Sequence, residues 1–400
     1  MTGPTMLINE PRARMRMQQE RLDALVATAP ENVTYVSGYW AMSQWIRRGP
    51  QAYAIYPLPQ LGPPSIIAST GALDLVADQE PWVTDVRRYG FFAVERQQGA
   101  VLEPRDERLL RLLQTPDDGD AVQALARALR DRGLEAARIG VDEIGILPAY
   151  LDRLREALPE ATLVRAFEIF RAIRAVKTEE EVRRLRASAH IAERSIAAAL
   201  AVAREGATER DLGVAFHETT VRAGALPVLG CIGTGPRSAL PNAQPSDRVL
   251  RRGDVIRFDV GGRYRHYRAD IARIATIGPP GDKVARYHHA LRAGLLRAHD
   301  VMRPGVRTAD VFHAVMEAVR QAGMPHYERN HVGHGIGLDG YDPPNLTPSS
   351  TEVLEEGMVL SVETPYYELG FAGLQVEDMV LVTRDGVESL MATSSELRVV

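Results

Sequence analysis

The stretch Arg251–Val260, "RRGDVIRFDV", has a counterpart further along the chain in Glu355–Thr364, "EEGMVLSVET". Aligned on Gly253 and Gly357, the two place Asp259 on Glu363. Upstream, "GATERDLGVAFHETTVRAGA" from Gly206 matches "GVRTADVFHAVMEAVRQAGM" from Gly305. Asp211 falls on Asp310, Glu218 on Glu317, and both end at an Ala-Gly stop. Downstream, "DIARIAT" matches "EDMVLVT" and sets Asp270 on Glu377. Each half reads as two helices followed by a strand pair, with one acid per strand. Two amphipathic helices can resemble one another by chance, but chance does not also superpose four acids. The expectation is a two-fold internal duplication.

The rest of the chain fits around that duplication. At 400 residues it is too long for one ordinary core, so two domains are expected. Before the repeat, "AYAIYPL", "PSIIAS" and "RIGVDE" read as buried strands alternating with helices such as "AVQALARALRDRG". That pattern predicts a smaller α/β layer domain over residues 1–170 and a second, α+β domain over 171–400. Thr178 with Glu181 makes a capping box for a long helix running to Gly206. A formal charge of -4 gives no basic footprint for nucleic acid. The single cysteine, Cys231, excludes an intrachain disulfide framework and a cysteine-based zinc site. No Gly-rich phosphate loop stands between a strand and a helix, so no nucleotide site is expected. The first twenty residues lack a signal peptide's apolar core, and "SIAAALAVA" is far short of a membrane span. A cytoplasmic protein with no membrane or nucleic-acid partner is expected.

"VIRFDVGG", "MVLSVETP" and "GLQVEDMVLVT" are apolar strand sequences, and a carboxylate inside such a strand is costly unless it meets protons, cations or solvent. Strand alternation pairs Arg257 with Asp259, Ser361 with Glu363, and Gln375 with Glu377 on shared faces. If the halves pack about a pseudo-two-fold axis, the four acids converge between the sheets and need cations to hold them. Carboxylates plus one imidazole suit a pair of divalent ions such as manganese, cobalt, iron or zinc. Two such ions, roughly 3.5–4 Å apart, can hold a bridging water as hydroxide and polarise a carbonyl. His334 in "HVGHGIGLDGYDPP" is the natural nitrogen ligand, because Gly333 and Gly335 permit close backbone approach.

Asp259, Asp270 eleven residues on, His334 in Gly-His-Gly, and then Glu363 and Glu377 together resemble the pita-bread metallopeptidases: prolidase, aminopeptidase P and methionine aminopeptidase, with creatinase as a non-metal relative. "ALVATAPENVTYVSGY" resembles the amino-terminal domain of creatinase and prolidase, and "RAIRAVKTEEEVRRLRASAHIAE" the family's linker and first long helix, so the likeness spans the chain. It implies two divalent ions per chain, with manganese expected and cobalt, zinc or iron as alternatives. It implies that Asp259 binds one ion, that Asp270 and Glu377 bridge both, and that Glu363 is both ligand and proton shuttle. It further implies a homodimer acting on a small peptide.

Three departures from the family pattern stand out. Asn242 in "ALPNAQPSD" and Tyr341 in "DGYDPP" occupy positions where the peptidases carry substrate-facing histidines, and Gln375 replaces the arginine of prolidase and aminopeptidase P. Asn242 and Tyr341 can donate hydrogen bonds to a carbonyl or oxyanion but cannot deliver a proton near pH 7 as imidazole does. The expected activity is therefore hydrolysis of a short peptide or peptide-like amide of Xaa-Pro type. The alternative is a small-molecule C–N hydrolase or a metal-assisted lyase on the same scaffold. His331, Arg237, Tyr366 (or its neighbour Tyr367) and Gln375 are the expected substrate contacts, with Arg237 a candidate anchor for a carboxylate. Trp45, Arg47 and Arg48 are candidates for bordering a partner's active site, and the His288–His289 pair reads as structural.

Overall fold

The computed structural model describes residues 5–45 and 49–400, so Arg47 and Arg48 lie outside the described residues. The chain divides into two compact units, Met1–Arg174 and Ala175–Val400.

The first unit is a six-stranded sheet of Ala24–Ala27 (β1), Tyr53–Pro57 (β2), Ser65–Ser69 (β3), Asp85–Tyr89 (β4), Arg138–Val141 (β5) and Thr162–Arg165 (β6), ordered β4-β3-β2-β1-β5-β6. β1 and β2 are buried along their whole length, which their unbroken apolar runs require. The Ala121–Arg130 helix starts on a capping box from Asp120 and Gln123, and sinks Val122, Leu125 and Leu129 into the core against the sheet. The closing helix, Phe167–Arg174, belongs to this unit: Arg12 Nε donates to the Ala172 carbonyl at 2.8 Å.

The second unit opens with the helix Glu179–Val202, whose Thr178–Glu181 capping box forms as expected. The helix stops at Val202, before Gly206, because Ala203 turns to extended backbone. A second helix, Glu209–Arg222, precedes strands Leu226–Thr234 (β7), Val255–Tyr264 (β8), Tyr267–Arg268 (β9) and Ile271–Thr276 (β10). The helices Asp282–Val301 and Thr308–Gln321 then precede Gly333–Gly335 (β11), Asp342–Asn345 (β12), Val359–Glu368 (β13) and Ala372–Val382 (β14).

The sheet order β12-β11-β13-β14-β10-β8-β7 exposes the duplication. Leaving out β12, it reads the same from both ends, with β7 answering β11, β8 answering β13 and β10 answering β14. Small connections repeat too: Thr208 bridges Val249 as Arg307 bridges Val353, and the amide of Gly206 bonds Leu250 as that of Gly305 bonds Leu354. The pseudo-two-fold thus runs between β10 and β14, which meet at Ala272 and Glu377. Two structurally related halves joined in one sheet explain why the acids do not converge between two sheets, as the sequence suggested. They share one face of a single sheet. Leu291, Leu295, Val315, Val319, Leu360 and Val380 fill part of the core of the second half. His288 is buried in that half, where burial pushes its imidazole down to about 4, in keeping with a structural role. Among the described residues, no helix is long and apolar enough to cross a membrane.

Candidate metal centre

Register builds the site. Asp259 on β8 pairs with Ala272 on β10, Ala272 with Glu377 on β14, and Glu377 with Glu363 on β13. These four form one lateral row, so their side chains leave the same face of the sheet. Ala272, the one small member, leaves the space between Asp259 and Glu377 to the carboxylates. Asp270 stands two residues before Ala272. His334 pairs with Ser361, two residues before Glu363. Strand parity therefore brings both to that same face. Carboxylate oxygens of Asp270 and Glu377 and a ring nitrogen of His334 all lie within 4.8 Å of one another.

The glycines beside His334 are required by packing. A Cβ on Gly333, whose φ is 144°, would run into the Ser361 carbonyl of β13, and one on Gly335 into the Pro343 carbonyl of β12. His334 Nδ1 lies 3.0 Å from the Gly335 carbonyl, an arrangement that assigns the ring proton to Nδ1. Nε2 then turns a lone pair toward Asp270, 3.8 Å away. Burial pushes the imidazole down to about 4, which keeps that lone pair available at neutral pH.

The acids are frustrated without a cation. Burial, then repulsion from Asp259 and Glu363, raises Asp270 well above the carboxylate range. Burial, then repulsion from Asp270, Glu363 and Asp259, does the same to Glu377. Burial and Asp259 lift Glu363 to about 7, and burial raises Asp259 although Arg257 opposes it. Asp270 Oδ1 is buried with no hydrogen-bond partner. An orphaned carboxylate oxygen beside a neutral imidazole lone pair and three further acids fits divalent cations, whose oxygen and nitrogen ligands these are.

The surroundings hold the acids in place. Arg257 is fully buried and uses all five N–H donors: Nε to Ser238 O, Nη2 to Leu240 O and Pro241 O, and Nη1 to Asp259 Oδ2 and Gln375 Oε1, each of the last two at 3.0 Å. Gln375 passes the connection on, its Nε2 donating to Glu363 Oε2 at 3.2 Å and to Glu377 Oε2 at 3.4 Å. It is buried and engaged at both ends, so it braces the acids instead of meeting substrate, as the sequence reading had it. Tyr367 also donates to Gln375 Oε1, at 3.1 Å.

Other expected contacts divide. His331 Nδ1 sits 3.3 Å from Glu363 Oε1 and joins the site. The Tyr341 ring lies on His334, centroids 4.1 Å apart, and its hydroxyl is pushed up to about 12 by burial and then by the four acids. Tyr366 is corrected: it points to the other face of β13, where its hydroxyl donates to Glu368 at 2.7 Å and its ring packs edge-on against Tyr287. Parity with Glu363 puts Tyr367 on the site face instead. Arg237 is likewise corrected as a free anchor. Its Nε is paired with the buried Glu209 at 3.0 Å and its Nη2 with the Gln244 carbonyl. Asn242 is exposed, and among the described residues its one hydrogen bond is through its backbone carbonyl, from Gln244. Arg257 as a brace and Tyr367 were both within reach of the two-residue alternation that placed the acids.

Residues 183–384 match the model of metallopeptidase family M24, and residues 11–176 that of the creatinase/prolidase N-terminal domain. The chain belongs to metallopeptidase family M24. An Xaa-Pro dipeptidase of Pyrococcus furiosus is 31% identical over 232 residues, 58% of this chain and 67% of that protein. A probable dipeptidase, PepE, of Mycobacterium tuberculosis is 34% identical over 261 residues, 65% of this chain and 66% of that protein. In fold, the X-Pro aminopeptidase of Thermotoga maritima superposes with a TM-score of 0.78 at 24% identity, over 96% of this chain and all of that one. The M24 fold is the pita-bread architecture of the second unit, and membership makes the protein a peptidase whose family chemistry uses divalent metal ions.

Proposed function

We propose that this M24 member hydrolyses short peptides of Xaa-Pro type, with two divalent ions held by Asp259, Asp270, His334, Glu363 and Glu377. The observation that carries the reading is the lateral row of buried and half-buried acids, with Asp270 Oδ1 unpaired among the described residues and the His334 Nε2 lone pair turned toward it. Ions bound there would supply positive charge to a developing oxyanion and make water a nucleophile at neutral pH. Names of relatives that act on Xaa-Pro bonds support the substrate class.

Within that reading, the protein's own groups divide the work. Gln375 Nε2 holds Glu363 Oε2, which leaves Oε1 for proton transfer from water to the leaving nitrogen. His331 faces that same oxygen and orients it or relays its proton. Tyr341, whose hydroxyl stays protonated at neutral pH, donates a hydrogen bond toward the carbonyl under attack without acting as a base. The oxygen-rich donor set supports manganese as the ion. Family resemblance supports a homodimer, checked by light scattering.

The deciding experiment loads purified protein with Mn²⁺, keeps a chelator-stripped control, and follows amino-acid release from Xaa-Pro dipeptides, Xaa-Pro-Yaa tripeptides and matched non-proline peptides. Metal-dependent cleavage confined to proline substrates is expected. A fully loaded protein that cleaves none of them overturns the reading. It would favour the second reading, a hydrolase or lyase of small non-peptide substrates, for which the exposed Asn242 and Tyr341 in place of two histidines speak.

A further inference from the structure

Arg329 and Tyr327 lie in the segment leading into β11. Among the described residues, no carboxylate comes within ion-pair range of Arg329, and its Nε is buried without a hydrogen-bond partner. The Tyr327 hydroxyl, on a side chain only 1% exposed, is also buried and unpartnered. Two orphaned donors at one place are uncommon, because a buried donor left unpaired is costly. They point to an acceptor that is not part of the protein.

Their position says what that acceptor is. The Arg329 guanidinium sits 5.7 Å from the ring centre of Tyr367, whose hydroxyl reaches Gln375 in the site. Its charge bears on Glu363, His331, Tyr327 and Tyr367 together. Of the other buried or half-buried arginines beside the site, Arg257 is paired with Asp259, Arg237 with Glu209 and Arg273 with Asp378. Arg268, whose Nε is also unpartnered among the described residues, bears on Asp270 and has no buried phenol beside it left unpartnered. A planar guanidinium without a partner, with a phenol beside it, is a carboxylate receptor. In a dipeptide the free carboxylate lies one residue beyond the scissile carbonyl, about 3.8 Å along the chain. A cation that neighbours Glu363 is therefore placed for that group.

We propose that Arg329 and Tyr327 bind the free α-carboxylate of the residue after the scissile bond, which makes dipeptides the preferred substrates. The inference rests on the peptidase reading above. It adds to that reading a feature by which substrate length is measured.

The test uses the full-length, Mn²⁺-loaded protein and four probes: Ala-Pro, Ala-Ala, and the C-terminal amide of each. The wild type is expected to take the free acids with a KM about tenfold or more below that of the amides. Arg329→Gln is expected to raise KM for the acids by at least that factor and so to abolish the preference of acid over amide, while Arg329→Lys keeps part of the preference. Tyr327→Phe weakens the acids alone by a smaller factor. Calorimetric titration with a reduced-bond Ala-Pro analogue and its amide reads the same preference without turnover. Equal handling of acid and amide by the wild type, an Arg329→Gln variant that weakens both alike, or no measurable binding of either analogue overturns the proposal. Cleavage of Ala-Ala with Ala-Pro untouched would sink the proline reading and leave the carboxylate preference to be judged on Ala-Ala.

Discussion

Glu363 and Glu377 face each other as a cross-strand pair of β13 and β14, two acids in direct register inside a buried sheet. Like charges so placed destabilise a sheet, and here burial raises both carboxyls above the ordinary range, helped by Asp259 at Glu363 and by Asp270, Glu363 and Asp259 at Glu377. A cation needs them ionised, so its binding must expel protons. We expect Mn²⁺ binding near pH 6.5 to release roughly one or more protons per chain, and fewer as pH rises past the raised values. Calorimetry in buffers of different ionisation enthalpy reads this directly, and a heat that does not depend on the buffer would contradict it. A Mn²⁺ concentration a hundredfold above its Kd should stabilise the fold by about 2.7 kcal/mol, seen as a higher unfolding midpoint.

Arg257 is the brace on which Asp259 and Gln375 depend, and its other three donors hold the carbonyls of Ser238, Leu240 and Pro241. Arg257→Met keeps volume but leaves Asp259 without its counter-charge and removes the guanidinium donors from the carbonyls of Ser238, Leu240 and Pro241, of which only that of Leu240 keeps a backbone donor, the Ala243 amide. The expected cost is about 3–5 kcal/mol, the range found when one partner of a buried pair is removed. Urea denaturation of the chelator-stripped protein measures it. A variant within 1 kcal/mol of wild type would show that the brace is dispensable.

Much of this was legible in the sequence because strand alternation and duplication are both periodic. The match of Asp259 with Glu363 and of Asp270 with Glu377 carried the strand pairs, their pseudo-symmetry and the gathering of the acids at one place. What escaped depended on parity not followed far enough, or on partners distant in sequence. Tyr367 is four residues beyond Glu363 and so on its face, whereas Tyr366 is not. Gln375 reads as a departure from a family pattern until Arg257, from the other half, is seen to meet its carbonyl. Arg237 looked like a free loop cation because nothing local announces Glu209, buried at the head of a helix beneath it. The single-sheet arrangement escaped too, since no strand sequence says which strand of the other half it will pair with.

The contrast between neighbours on β13 is itself testable. Tyr367 donates to the glutamine that holds both glutamates, and Tyr366 donates to Glu368 on the opposite face. Removing one neutral hydrogen bond is worth about 1 kcal/mol. Tyr367→Phe should therefore lower kcat/KM by roughly three- to tenfold, and Tyr366→Phe should leave it within about twofold. Steady-state kinetics on one cleaved dipeptide decides the matter. The reverse ranking would mean that the substrate approaches from the Tyr366 side.

The last expectation concerns stability and pH, away from the metal centre. Glu181 is buried in the capping box of the long helix, where it accepts from the Thr178 amide at 2.8 Å and from the Tyr267 hydroxyl at 3.1 Å. Burial raises its carboxyl to about 7, although Lys177 and the hydrogen bonds pull the other way. The folded state thus holds a proton that the unfolded chain gives up near the ordinary glutamate value. Between about pH 4.5 and pH 7 the folded protein binds more protons than the unfolded one, so this group makes stability fall as pH rises through that window. Below the window both states are protonated and the group contributes no slope. Glu181→Gln keeps an acceptor for Thr178 and Tyr267 but cannot ionise. We expect the difference in unfolding free energy between variant and wild type to shift in favour of the variant as pH climbs from 4.5 to 7, and to level off above. Denaturant titrations at half-unit pH steps measure that difference, and a difference that is flat or of opposite slope would show that Glu181 is ionised throughout, with Lys177 as its counter-charge.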